Sequence, residues 1–173
     1  MDKELQQKAL EEFRDYVIKH SQENLQRKKS TGNLSKSLNA EFKVMPNSIR
    51  MFFEMEEYGF YQDKGVSGTH RKYNTEFSYT TKPPPPKAFD KWIVRKGIAP
   101  RDKGGKFLTR KSIQFALSRY IFINGIKPSL WFTKPFEAAF NNLPDELIKV
   151  YGLESEDLFD RIMKENFNTY ADK

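Results

Sequence analysis

The chain carries two histidines, His20 and His70, and no cysteine. Thiolate nucleophiles, disulfides and cysteine-bound metals are therefore excluded. Zinc needs three or four ligands. Neither histidine has a neighbour at ligand spacing, so no metal site is expected. Adjacent carboxylates occur at Glu56-Glu57 and Asp145-Glu146. The first pair suits charge on a helical turn better than an acid–base couple. The second suits the first turn of a helix, where carboxylates complement the dipole. Gly104-Gly105 lacks the spacing of a Walker loop or a dinucleotide fingerprint. No Ser, Thr or Lys lies in a nucleophile motif. Neither catalysis nor a cofactor is expected. An enzyme with a dispersed site is the weakest reading, and it would have to lean on Glu56, Glu57 or Asp63.

Charge is distributed unevenly. Residues 1–63 hold 10 basic and 11 acidic side chains, whereas residues 64–119 hold 14 basic and 3 acidic ones, a net +11. Residues 137–173 return to −5, with 4 basic and 9 acidic. Such a layout suits binding to polyanions, or head-to-tail packing of identical copies. A solvated basic surface is the plain alternative. Tyr73, Phe77, Tyr79, Trp92 and Phe107 are interleaved with the positive charge, and aromatics so placed can stack bases. The spacing of Phe89, Trp92 and Phe107 suits core packing better. No helix-turn-helix, ribonucleoprotein or zinc-finger signature is present, so phosphate attraction without sequence reading is the most this segment supports.

The stretch Tyr58–Pro86 stands out. Tyr58, Phe60 and Tyr61 put three aromatics in four residues beside Gly59 and Gly65. A loop from Val66 to Lys82 follows, then four prolines, Pro83–Pro86. Loops of this length are usually functional or disordered. Consecutive prolines hold the chain extended and lower the cost of ordering it. The expectation is an assembly element. A local hydrophobic plug with a floppy loop is the bland alternative.

Positioning these residues falls to a small set of elements. Leu5, Ala9, Leu10, Phe13, Tyr16 and Val17 recur at helical steps and predict an amphipathic helix over residues 3–27. Thr31–Leu38 reads as a loop or short helical turn. Ala40–Met45 and Ser48–Glu54 alternate apolar and polar residues across Pro46-Asn47, which predicts a hairpin. Lys87–Lys96 reads as a short helix with Pro86 at its first position and Gly97 as its C-cap. Pro100–Lys106 is a flexible loop or hairpin tip. Thr109 is placed to N-cap a helix running to Asn124. That helix is apolar on more than one side, which implies burial on both sides or an interface. Ser129–Thr133 reads as a short strand, Pro135–Asn141 as a helix, and Pro144 starts another with Leu147, Ile148 and Tyr151. Leu158, Phe159, Ile162 and Met163 form a last amphipathic stripe. The N-terminus is charged rather than signal-like, and no apolar window suits a membrane span.

Three segments carry a likeness to a known family. Thr31-Gly32-Asn33-Leu34-Ser35-Lys36-Ser37 matches a Thr-Gly-x-Leu-x-x-Ser segment. Glu57–Gly65 is similar to an aromatic motif of the type Tyr-Ala-x-Phe-Val-Glu-x-Gly-Thr. Lys134-Pro135-Phe136-Glu137-Ala138-Ala139 matches a Pro-Phe-x-x-Ala helix. In this order and rough spacing, over residues 5–150, the chain resembles the tail-completion or neck proteins of tailed bacteriophages. Gln62-Asp63-Lys64 stands where that family has one acidic residue. The segment Lys87–Asn124 and the tail from Leu153 are longer than its pattern, which points to a divergent branch such as the neck rings of short-tailed phages of Bacteroidetes.

The resemblance implies an α+β fold: a small antiparallel sheet packed by the long N-terminal helix and C-terminal helices. Residues 1–152 would form one connector-type domain, with 66–86 an extended arm, 87–125 a helical insert and 153–173 a helical tail. It implies a structural virion protein made in the host cytoplasm. Copies would close into a ring of on the order of six or twelve, meeting portal, adaptor and tail proteins, with no membrane partner. Ring contacts would come from Tyr58, Phe60, Tyr61, Asp63, Lys64, Tyr73, Phe77, Tyr79, Pro83, Pro84 and Pro85. Arg71, Lys72, Arg101, Lys103, Lys106, Arg110 and Lys111 would face the genomic DNA passing through the lumen. A small basic nucleic-acid-binding protein without catalytic activity is the competing reading.

Overall fold

A computed structural model describes residues 3–27, 32–45, 48–151 and 157–161. The architecture is α+β, as expected. The order is α1 (Lys3–Gln26), α2 (Asn33–Ser37), β1 (Asn39–Met45), β2 (Ser48–Glu54), α3 (Tyr58–Lys64), a 3₁₀ turn (Pro86–Phe89), α4 (Asp90–Lys96), α5 (Arg110–Asn124), α6 (Thr133–Phe140) and α7 (Asp145–Tyr151). Residues 157–161 are helical. The expected turn at Pro46-Asn47, the break at Gly152 and the stripe positions Ile162 and Met163 lie outside the described residues, as does most of the 153–173 tail.

The chain divides into two compact units. The first combines residues 1–63 with 130–173, and the second is residues 64–129. In the first unit, α1 buries Leu10, Phe13, Val17, Ser21 and Leu25, a stripe at helical spacing. Leu5 and Tyr16, expected on the same stripe, are exposed. The hairpin is antiparallel, with Ala40 opposite Phe53 and Phe42 opposite Met51. Alternation therefore delivers Ala40, Met51 and Phe53 to one face, where all three are buried. α1 packs on α6, α2 and β1. Between them lies an aromatic core. Phe136 meets Phe13 edge-on at 5.4 Å and Phe159 at 5.2 Å, and Phe53 meets Phe132 at 5.2 Å. Edge-to-face geometry adds about 0.5–1.5 kcal/mol per pair beyond area burial.

The second unit is built differently. Its only buried apolar side chains among the described residues are Val66, Ile93 and Ile113. Backbone pairing carries much of the rest: Val66 pairs antiparallel with Ile126, Ser67 bridges Ser78, and Arg101 bridges Phe107. α5 packs against the 3₁₀ turn and α4. Ser118 on α5 is buried and donates to the Pro84 carbonyl. Gln114 Nε2 donates to Asp90 Oδ1 at 2.7 Å, tying α5 to the start of α4. Thr109 caps α5 as expected, accepting from the Ser112 N–H at 3.2 Å.

Two expectations are corrected. Residues 129–133 form no strand: Leu130 has φ 49°, Trp131 and Phe132 lie in a turn, and α6 already begins at Thr133. The reason is Asp63, whose buried carboxylate draws the N–H groups of Phe132 and Thr133 into a helix start. Residues 66–86 are also not an extended arm. The segment folds back on itself around Ser67, which bridges Ser78 and is bonded to Phe77 and Tyr79.

Candidate interaction surface

The residues singled out between Tyr58 and Pro85 separate into buried, half-buried and exposed groups. α3 buries Phe60 and Asp63 completely. Gly59 allows this helix to sit tight, since a Cβ there would lie 2.8 Å from Leu34 and 3.3 Å from Trp131. Trp131 Nε1 donates to the Gly59 carbonyl at 3.1 Å. Asp63 accepts from Phe132 N at 2.8 Å, Thr133 N at 3.2 Å and the Thr133 hydroxyl. It works as a remote N-cap for α6. Phe60 and Asp63 are thus occupied inside the first unit, which corrects their assignment to a ring contact. Tyr58 is 46% exposed and remains a surface group. Tyr61 is half-buried, and its pKa is raised by burial, by the Glu57 charge and by donating to Glu57. Lys64 is half-buried.

Within the second unit, Ser67 is the centre of the loop. Its N–H donates to the Phe77 carbonyl and its own carbonyl accepts from Tyr79 N, each at 2.8 Å. Its hydroxyl donates to the Tyr73 carbonyl and accepts from Tyr73 N, each at 3.0 Å. The polar burial of Ser67 has no signature in the sequence. Gly68 and Gly125 let two backbone segments cross: a Cβ on Gly125 would lie 2.1 Å from the Val66 carbonyl oxygen. Tyr73, Phe77 and Tyr79 are half-buried, and the Tyr79 ring lies tilted against Phe122 with centroids 6.3 Å apart. Pro83 and Pro85 are exposed and Pro84 is half-buried.

All seven basic residues expected to face DNA are exposed. They are not brought into one cluster by hydrogen bonding. Lys72 Nζ donates to the Gly68 carbonyl at 2.8 Å, and Arg71 lies over Tyr73 at 5.4 Å. Arg101 donates to the Gly105 carbonyl at 2.7 Å, with its guanidinium 3.7 Å above the Phe107 ring. Arg110 is 3.7 Å from Asp90. Lys103, Lys106 and Lys111 complete the set.

What the sequence reading did not single out is the outward face of α5. Lys111, Phe115 and Arg119 form one exposed row at four-residue steps, and Ser112, Ala116 and Tyr120 form the next. Phe115 is 56% and Tyr120 62% exposed. The clue was the helix being apolar on more than one side. Trp92, Val94, Phe107 and Leu108 are further large apolar groups that this unit exposes.

Charge follows the same division. Residues 64–129 hold 15 Lys and Arg against 3 Asp and Glu, a net +12, whereas the first unit holds 15 against 20, a net −5. Among the described residues, no three His, Asp or Glu side chains come together as metal ligands, and no helix is long and apolar enough to cross a membrane. No protein-family model matches the chain, and comparison with curated proteins and with solved structures gives no match either.

Proposed function

We propose that this chain is a structural component of a tailed-phage virion, forming a ring in the neck that joins the DNA-filled head to the tail. The observation that carries the reading is the segregation of charge between two units of one chain, with six of the nine large exposed apolar side chains among the described residues on the basic unit. A unit at +12 with six large exposed apolar side chains, beside an acidic unit with a complete core, suits contacts between identical subunits. The basic side also suits passing DNA without reading its sequence. Eliminating the chain from a phage that encodes it should leave filled heads without tails, seen by electron microscopy. Normal yields of joined particles would overturn the role.

One arrangement favours a second reading, non-catalytic nucleic-acid binding by the isolated chain. Arg101 and Phe107 present a cation over an exposed ring, with Lys103 and Lys106 in the same hairpin loop. An affinity for single-stranded DNA that falls steeply with salt, and falls further in Phe107→Ala, would support it.

A further inference from the structure

The first unit carries a groove that the assembly reading leaves unassigned. It has a volume of about 230 Å³ and is lined by Ala9, Phe13 and Tyr16 of α1 with Ala139, Leu143 and Pro144 around the end of α6. Phe13, Ala139 and Leu143 are buried, so the lining has an apolar floor. Glu12 and Asn142 also line it, and both are exposed. Asp145 follows Pro144 at the start of α7 and is exposed. Among the described residues, 137–151 and 157–161 hold 5 acidic side chains against 2 basic ones, so this part of the unit is net negative.

We infer that this groove receives the outward face of α5 from a second copy of the chain, with Phe115 seated in it and Lys111 and Arg119 against its carboxylates. Size fits: an apolar cavity of about 150 Å³ holds a benzene molecule, so one phenyl ring fits here with room for its neighbours. Chemistry fits too. The ring of Phe115 stands between two cations four residues either side on one helix face. The groove offers apolar walls with Glu12 beside them. The charge balance of the two units favours this pairing over like-with-like contact between two second units or two first units. The surfaces differ, so the contact is heterologous: each copy gives a knob and a groove, and a chain of copies closes into a ring if the rotation allows. The inference deepens the ring reading and rests on it for closure. The contact itself is read from the two surfaces.

The absence of native cysteine makes the contact directly testable. Full-length Ala116→Cys, which keeps Phe115, and Asn142→Cys are purified separately, one tagged, then mixed under mild oxidation. Ala116 and Asn142 are exposed, so both variants should fold, checked by circular dichroism. A disulfide forms only where Cα atoms come within about 7 Å. The expected result is a mixed dimer forming at least about tenfold faster than with Lys36→Cys on α2 in place of Asn142→Cys. Adding Phe115→Asp to the Ala116→Cys chain should bring the rate down to that control. Glu12→Lys in the groove chain should slow it, and Lys111→Glu in the knob chain should restore part of the loss. Equal rates for groove and control, or indifference to Phe115→Asp, would overturn the contact. Head–tail joining is read separately: cross-linking with normal virions would sink the neck role and leave the contact standing, and the reverse result would do the opposite.

Discussion

The two units solve the problem of stability by opposite means. The first buries 19 apolar side chains in one cluster, seven of them phenylalanines, and is net acidic. The second buries only Val66, Ile93 and Ile113, is net +12, and exposes Trp92, Val94, Phe107, Leu108, Phe115 and Tyr120. Apolar area removed from water is the main stabilising term in folding. The first unit therefore has the means to stand alone. The second leans on backbone pairing, close glycine crossings and a capped helix, and keeps much of its apolar surface outside. Apolar residues that a fold leaves exposed in a patch mark surface available for a partner. The lesson is a division within one chain: one part gathers its apolar side chains into a core, and the other leaves many of them outside.

The two units differ most in the aromatic core that only the first possesses. Phe136→Ala removes a ring with three aromatic neighbours inside 6.1 Å. It should cost about 3–5 kcal/mol, read as a lowered denaturation midpoint. A loss below about 1 kcal/mol would mean the first unit is not cored as described. Asp63→Ala strands two buried N–H groups and a hydroxyl. At about 1–3 kcal/mol for each unsatisfied group, and less than additively, it should lose about 3 kcal/mol or more. Hydrogen exchange should show the loss first at residues 130–133.

Gly125→Ala sharpens the contrast from the other side. Gly125 has φ 71°, and an added Cβ would strike the Val66 carbonyl. A cost of about 1–3 kcal/mol is expected, with hydrogen-exchange protection lost within 64–129 and kept in the first unit. Uniform loss across the chain would show that the units do not melt separately. Thr109→Ala should cost about 1 kcal/mol through the missing cap of α5. Phe115→Ala should change stability by less than about 0.5 kcal/mol, because the ring is exposed.

The smallest effect concerns alkali. Tyr61 has its pKa raised above 10.0, so the folded state holds its proton after the unfolded chain has released it. The resulting stabilisation is present below pH 10 and is lost as pH rises through the folded value. Tyr61→Phe should remove one late-titrating phenol from the phenolate absorbance curve.

Much of the fold was legible because short-range physics settles it. The α1 period, the alternation in β1 and β2, the Thr109 cap, the Gly97 stop and the Pro86 helix start are choices made within a few residues of themselves. The reading failed where the partner lies far along the chain. Asp63 was expected at a ring contact, because its donors, Phe132 and Thr133, are some 70 residues away. The same distance hid why residues 129–133 turn rather than extend. Ser67 carries no mark in the sequence, and only the fold brings the backbone of Tyr73, Phe77 and Tyr79 around it. Composition and pattern determined the element types, the lack of thiol chemistry and the basic middle. Only the tertiary structure decided which aromatic residues are spent in a core and which stand outside it, because burial depends on what the rest of the chain brings alongside.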